Sequence, residues 1–176
     1  ASGGVTSSAS NALSSQSQIA YRSALMWVIT GDIAYANIAK TILNSWSSTL
    51  QSFSGDAAKL CVAWYGFGLV NAAEILRYTN SGWSQEDIQQ TENMFRNVFY
   101  PVIENFQRGY AGNWDTAITK TIMGIGVFLN DEAIFNKGVN FLSSTTDNAN
   151  GALRNYIYPT GQCWESGRDQ EHTQMG

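Results

Sequence analysis

The scarcity of helix breakers restricts the fold of this chain more than any other feature. The 176 residues include only two prolines, Pro101 and Pro159, and apolar residues recur at helical spacing from about residue 16 onward. Proline interrupts a helix more strongly than any other residue, so long helices meet few obstacles here. Alternating apolar and polar runs typical of strands are scarce. We therefore predict an all-α protein.

The apolar stripes and turn residues divide the chain into consecutive helices. We predict helices over about residues 16–30, 33–53, 57–79, 85–106, 113–129 and 131–145, followed by an irregular segment at 153–164. Asp32 and Ser84 are suitable N-caps for the second and fourth of these helices. Pro101 predicts a break or kink within the fourth. The helix over 57–79 is apolar around most of its circumference, which indicates an inner helix.

Helices that alternate between a more apolar and a more polar member predict hairpins that form part of an (α/α) toroid, with one layer inside the other. An orthogonal globular bundle is the alternative. No repeat of fixed period indicates an open solenoid. We predict a Ser-rich N-terminal segment over residues 1–15 and part of one toroid domain over residues 16–176.

Composition narrows the possible partners and the compartment. A hydrophobic fraction of 44% supports a packed core, while a charged fraction of only 14% leaves a surface of neutral polar groups that is common in secreted proteins. The net charge of -4 provides no footprint for nucleic acid. The apolar runs are shorter than a bilayer span of about 20 residues. We expect a secreted protein that binds neither nucleic acid nor membrane.

Cysteine and histidine are too few for most metal sites. Cys61 and Cys163 could form one disulfide, or they could remain two free thiols, because sequence spacing alone does not bring them together. The chain contains a single histidine. We expect no metal site and no cofactor.

The first candidate cluster, residues 109–115, combines an amide, an indole and a carboxylate at a predicted helix start. Asn113 is the natural N-cap of that helix, which is an ordinary structural role for asparagine. A functional role for its side-chain amide is the alternative. Trp114 is similarly either a core residue or part of a site.

The second cluster, residues 158–174, concentrates polar and ionisable groups and includes the only histidine. If the chain is helical from Glu165 onward, then Arg168, Asp169 and His172 share one helix face with it. A solvated helix face is the ordinary explanation for such a pattern. The aromatic and glycine-rich residues that precede this pattern favour a functional site, so the two explanations are about equally supported.

Together, the two clusters resemble the alginate lyase superfamily of helical-toroid polysaccharide lyases, and most closely polysaccharide lyase family 38. The resemblance extends from about residue 16 to the end, and its motifs are Ala20-Tyr21, Thr30-Gly31-Asp32, Tyr35-Ala36, Gly112-Asn113-Trp114, Glu165-Ser166-Gly167-Arg168-Asp169-Gln170 and His172-Thr173-Gln174. It implies a lyase that cleaves a β-1,4-linked polyuronate, of the glucuronan or alginate type, by β-elimination.

The resemblance also implies roles for individual residues. Asn113 would hydrogen-bond the substrate carboxylate, Arg168 would add charge-assisted hydrogen bonds, and His172 would neutralise the carboxylate or abstract the proton. Further substrate contacts are expected from Trp114, Trp164, Glu165, Gln170 and Tyr158. The catalytic tyrosine of such lyases has no clear counterpart, because Met175 stands near its position. Tyr158 is one candidate by proximity, and a tyrosine beyond Gly176 is the other.

The partners implied by the resemblance are an acidic polysaccharide and a remaining segment or chain of the same enzyme domain, since the family domain extends past Gly176. Two other functions fit the same residues. A helical-toroid glycoside hydrolase would use two carboxylates, such as Asp115 with Glu165 or Asp169. A non-catalytic carbohydrate-binding helical module would use the polar clusters only as caps.

Overall fold

The computed structural model describes residues 8–170. Its elements are α1 (Ser8–Thr30), α2 (Ile33–Thr49), α3 (Ala58–Arg77), α4 (Gln85–Met94), a π-helical turn (Phe95–Phe99), α5 (Tyr100–Ile103), α6 (Gly112–Phe128), α7 (Glu132–Leu142) and α8 (Leu153–Tyr156). Within that range the only β pairing is an isolated bridge between Ile157 and Cys163. The all-α prediction is confirmed.

Helix α1 begins at Ser8, well before the start near residue 16 that its apolar pattern predicts. Tertiary packing explains the difference. Leu13 and Ser17 are both buried, and the Ser17 hydroxyl donates a hydrogen bond of 2.7 Å to the carbonyl of Tyr65 in α3. Serine is a weak helix former, so this contact stabilises a helix that local propensity does not favour.

The predicted caps and the predicted break are present. Asp32 accepts a hydrogen bond from the backbone N–H of Ala34 at the start of α2, and Ser84 accepts one from Asp87 at the start of α4. The π-helical turn immediately precedes the segment that contains Pro101. Proline lacks an N–H and crowds the preceding turn, and the wider π turn accommodates both effects.

Helices α3 and α6 form the centre of the fold. Helix α3 packs on α1 and α6, while α6 packs on α3 and α7. Small residues allow α3 and α6 to lie close together: the backbone of Gly66 leaves room for Phe99 and Thr121, and the buried Thr121 hydroxyl donates to the Ala63 carbonyl at 2.6 Å. The prediction that α3 is an inner helix is confirmed by its ten buried residues.

Arg77 stabilises the contact between the C-terminal ends of α3 and α6. Its guanidinium donates to the carbonyl of Phe128, lies 4.3 Å from the centre of the Phe128 ring, and forms an ion pair with Glu92. One side chain therefore links the ends of α3 and α6 to α4. A partly buried arginine can satisfy all three contacts because its planar fork carries several donors.

Two further expectations concern cysteines and membranes. The thiols of Cys61 and Cys163 are free, so the two are not joined by a disulfide. None of the helices within residues 8–170 combines the length and the apolar character needed to cross a membrane.

Gly126→Ala tests the contact between α6 and α7. A Cβ atom at Gly126 would lie 2.5 Å from the backbone nitrogen of Phe135, so the two helices must separate. We expect the free energy of unfolding to fall by about 1–3 kcal/mol, as for other overpacked cores. Chemical denaturation measures it.

Gly124→Ala is the matched control in the same helix, because its Cβ would meet a side-chain methyl of Val70 rather than backbone. Alanine also favours the helix by up to about 1 kcal/mol relative to glycine. The packing account is contradicted if Gly126→Ala is no more destabilising than Gly124→Ala.

Candidate active site

A cleft of 340 Å³ runs along one side of α6. Asn113, Thr116 and Lys120 line it from α6, since residues three and four apart share a helix face. Trp64 of α3 and Leu142 of α7 form its flanks. The cleft therefore combines an amide, a hydroxyl, a cation and an indole, a set of groups suited to a polar ligand with flat apolar faces.

Asn113 does not cap α6, which corrects the prediction from sequence. The N-cap is Ala111, no side chain caps the helix, and Asn113 lies within the first turn. The side-chain Oδ1 of Asn113 is buried without a hydrogen-bond partner among residues 8–170. A buried acceptor without a partner is costly in a protein that binds nothing there. A helix-capping role therefore does not explain this asparagine.

Asp115 has a structural role in the same turn. It is 1% exposed, and its Oδ1 accepts a hydrogen bond of 2.6 Å from the backbone N–H of Gln107. Burial raises the pKa of Asp115, although the Gln107 hydrogen bond and the charges of Arg108 and Lys59 oppose the shift. This carboxylate holds the loop before α6 against the helix, and it does not line the cleft.

Tyr156, just before the second cluster, packs against the start of α6. The ring of Tyr156 lies so close to Gly112 that a Cβ there would meet it at 2.4 Å. The backbone N–H of Trp164 donates a hydrogen bond of 2.9 Å to the Tyr156 carbonyl, so the chain returns at Trp164 to lie beside Tyr156. The two clusters that are separate in sequence are therefore neighbours in space.

The expected helix from Glu165 onward is wrong for residues 165–168, which form turns, and for Asp169, which lies in no regular element. Gly167 has a φ of 82°, a left-handed conformation that ends any helix begun at Glu165. The Ser166 hydroxyl accepts a hydrogen bond from the backbone N–H of Cys163 and tightens the turn. Glu165 and Arg168 are consequently brought together by a turn and not by a helix face.

Glu165 and Arg168 form an ion pair of 3.0 Å between Oε2 and the guanidinium. The two side chains differ sharply in exposure, at 0% for Glu165 and 50% for Arg168. The buried carboxylate thus holds one edge of the guanidinium, while half of the arginine side chain remains accessible to a ligand. A guanidinium has donors on more than one edge, so this pairing does not exhaust it.

Tyr156 and Cys163 have shifted pKa values. Burial, followed by the charges of Cys163 and Glu165, raises the pKa of Tyr156 to about 12. The Tyr156 hydroxyl has no hydrogen bond of standard geometry with residues 8–170. The hydroxyl of Ser166 is the main cause that lowers the pKa of the Cys163 thiol. Tyr156 therefore remains protonated at neutral pH.

The remaining predicted residues lie at different depths. Trp114 is half-buried, with its ring 5.2 Å from that of Tyr110. Tyr158, Trp164 and Gln170 are exposed. His172 lies outside the described residues. Of the predicted residues that fall within 8–170, Asn113 alone lines the cleft.

Sequence reasoning missed the two side chains that complete the cleft, Lys120 and Trp64. A signal for Lys120 was present, because it follows Asn113 by seven residues and is the only charged residue between Thr116 and Leu129. Trp64 carried no such signal, since an indole in an apolar helix is normally a core residue.

A second cleft of 510 Å³ lies between the end of α5 and α7. Its floor is the stacked pair Phe106 and Phe141, whose ring centres are 3.9 Å apart, and Lys137 lies 5.5 Å from the ring centre of Tyr100. None of the predicted site residues in the described part of the chain lines this cleft. Across residues 8–170, no three His, Cys, Asp or Glu side chains are grouped to hold a metal ion.

Comparison with known proteins gives one clear relationship. No curated protein and no solved structure was found to match the chain. The family model described as Alginate lyase matches residues 5–169, which is nearly the whole sequence and includes the cleft, the start of α6 and the turn with Arg168. The chain therefore belongs to the alginate lyase family and is a polysaccharide lyase.

Proposed function

We propose that this enzyme cleaves a β-1,4-linked polyuronate, of the glucuronan or alginate type, by β-elimination at the start of α6. The observation that carries the proposal is the Asn113 side chain, which lines a cleft, caps no helix and has a buried oxygen without a partner within residues 8–170. Such an amide can offer its N–H groups to a uronate carboxylate.

The reaction needs charge stabilisation more than any other contribution. A base removes the proton from C5, the C4–O4 bond breaks, a C4=C5 double bond forms, and the departing oxygen takes up a proton. Negative charge builds on the C5 carboxylate as the proton leaves. Donors aimed at that carboxylate stabilise the transition state more than the ground state, which lowers the barrier.

Arg168 and His172 are proposed to complete the carboxylate site with Asn113. The exposed half of Arg168 is available to a carboxylate, and the buried Glu165 fixes the guanidinium from behind. We therefore propose that Glu165 acts on the substrate by positioning Arg168. His172 would share in neutralisation or accept the C5 proton. Exposed Trp164 and Tyr158 would contact neighbouring sugars, together with Trp114 and Gln170.

Tyr156 is a poor candidate for the base. Its pKa is raised to about 12, so very little tyrosinate is present near neutral pH. Its buried ring instead supports the contact between Gly112 and the segment that leads to Arg168. Tyr158, in contrast, is exposed to solvent.

Several wider features belong to the same proposal. We propose that the paired helices form part of an (α/α) toroid, completed by a remaining segment or chain of the enzyme domain. The resemblance at residues 112–114 and 165–174 supports the proposed membership of polysaccharide lyase family 38 and the proposed acidic polysaccharide partner. Secretion is proposed from composition. The low charged fraction of 14% agrees with secretion.

Hydrolysis is the nearest rival, and the carboxylates argue against it. A glycosidase needs two carboxyl groups that face the scissile bond from opposite sides. Asp115 is 1% exposed and Glu165 is 0% exposed, and each already holds a neighbouring group. A pair of buried, structurally engaged carboxylates is poorly placed to act on a polymer.

The main test is product formation on a panel of glucuronan, alginate and neutral β-1,4-glucan. We expect ultraviolet absorbance from the new conjugated double bond on at least one polyuronate and none on the neutral polymer. Asn113→Ala should lower kcat by about 10²–10³-fold, as for loss of one preorganised donor.

Asn93→Ala is the matched control, because Asn93 is an exposed asparagine on α4 and should leave the rate unchanged. The proposal fails if the wild-type enzyme is silent on every polyuronate. It also fails if Asn113→Ala retains full activity.

Asp115→Asn separates a structural carboxylate from a catalytic one. Folding raises the pKa of the Asp115 carboxyl group, so the ionised carboxylate destabilises the folded state. The contribution of Asp115 to stability is therefore lost as the pH rises from the ordinary pKa of an aspartate through the higher pKa of Asp115 in the folded protein. Asparagine can still accept the Gln107 hydrogen bond without that charge. We expect equal or higher stability at pH 7, a flatter decline above pH 4, and activity within about threefold of wild type.

Thermal unfolding across pH 4–8 and initial rates measure both effects. Reducing sugar formed without ultraviolet absorbance in the wild type, and abolished in Asp115→Asn, would instead identify a hydrolase.

A further inference from the structure

Lys120 is a cation in the cleft that residues 8–170 do not neutralise. The three ion pairs within the described range use Arg77, Arg96 and Arg168. The Lys120 ammonium contacts an aromatic face instead, 4.9 Å from the ring centre of Phe67. It lines the same cleft as Asn113. In a protein of net charge -4, a cation directed to a cleft without a carboxylate partner favours an anionic ligand.

The surroundings of Lys120 strengthen such binding. Partial desolvation lowers the pKa of its ammonium, because the Phe67 ring covers one side of it while the residue as a whole remains exposed. An ammonium that has already lost part of its hydration gives up less solvation when it binds a carboxylate. The charge is also held in place, since a cation over an aromatic ring is attracted to the ring face.

Position along α6 decides which carboxylate Lys120 meets. Asn113 lies in the first turn, where Tyr156 and the segment leading to Arg168 pack. Lys120 lies seven residues further, or about 10 Å along the helix axis. That separation of the two helix positions exceeds the span of one carboxylate group, which favours contacts to two different sugar units. Trp64 lines the same cleft and offers an apolar face to a sugar ring.

We propose that Lys120 is a specificity-determining residue that binds the carboxylate of a uronate unit next to the one that reacts. The inference rests on the proposed function and names the part of the substrate that the cleft selects. Such a contact would let an acidic enzyme select a polymer with charge on consecutive sugars. Because this contact is made equally before and during the reaction, it contributes to binding and leaves the chemical step unchanged.

The test compares Lys120→Met, Lys120→Arg and Lys137→Met in the intact enzyme on the polyuronate that the wild type cleaves. Methionine keeps the apolar stem and removes the charge, whereas arginine keeps the charge. We expect Lys120→Met to raise KM about tenfold at low salt, the effect of losing one charge-assisted hydrogen bond, with kcat within twofold of wild type. Lys120→Arg should remain within threefold in KM.

Lys137→Met is the matched control because Lys137 also lies over an aromatic ring, that of Tyr100, but lines the second cleft. It removes the same net charge and should leave KM unchanged. An equal rise in KM for both methionine variants would overturn the proposal in favour of a general charge effect. A kcat loss above 100-fold in Lys120→Met would overturn it by placing Lys120 in the chemical step.

Direct binding separates this inference from the proposed function. Calorimetric titration of the wild type and Lys120→Met with the polyuronate, and with the same polymer after reduction of its carboxyl groups, needs no turnover. We expect wild-type binding to weaken on reduction of the polymer, and Lys120→Met to lose less affinity than the wild type does on the same reduction, because its remaining carboxylate contacts lie at the reacting sugar. If the wild type cleaves polyuronate but Lys120→Met binds it as tightly, the inference fails alone. If the wild type forms no unsaturated product, the proposed function fails.

Discussion

The close packing of α3 against α6 is the constraint on which the candidate site depends. Gly66 and Ala63 present so little side chain that Thr121 can reach the α3 backbone, and the hydrogen bond between Thr121 and Ala63 is buried. This contact holds the cleft-lining residues of α6 next to Trp64. A wider spacing would separate the indole from Asn113 and open the cleft to water, which would weaken every electrostatic contact within it.

The chain has to bind a polyanion with few cations and a negative net charge. Its ten Lys and Arg residues are divided between structural and ligand-facing duties. Arg77 is engaged in structural contacts among α3, α4 and α6. Arg168 is held by a buried carboxylate yet half exposed, and Lys120 faces the cleft. Local placement of these two cations therefore matters more than the overall charge, because salt screens distant charges over about 10 Å.

Much of the fold could be predicted from the sequence because helices are specified locally. The caps at Asp32 and Ser84 and the break near Pro101 depend on residues within one turn. The start of α1 could not be predicted in this way, because α1 is stabilised there by a tertiary contact, the hydrogen bond from Ser17 to α3. Likewise, Gly167 in a left-handed conformation converts an expected helix face into a turn.

The candidate site was predictable only in part. The sequence indicated Asn113 and Arg168, but a role as N-cap for Asn113 could be rejected only when Ala111 proved to occupy that position. The cleft itself joins side chains from three helices, and spacing along one helix cannot reveal Trp64 or Leu142. The burial of two carboxylates was equally hidden, since the sequence left Asp115 and Glu165 open as a catalytic pair of a hydrolase until their structural partners were known.

The central claim is that the Asn113 amide receives a uronate carboxylate. Nuclear magnetic resonance of the ¹⁵N-labelled enzyme, titrated with a uronate trisaccharide, tests this most directly. The account predicts a progressive shift of the Asn113 side-chain amide signals, with the exposed Asn93 amide unchanged. A saturable shift confined to residues of the second cleft, such as Asn140, with no change at Asn113, would contradict it.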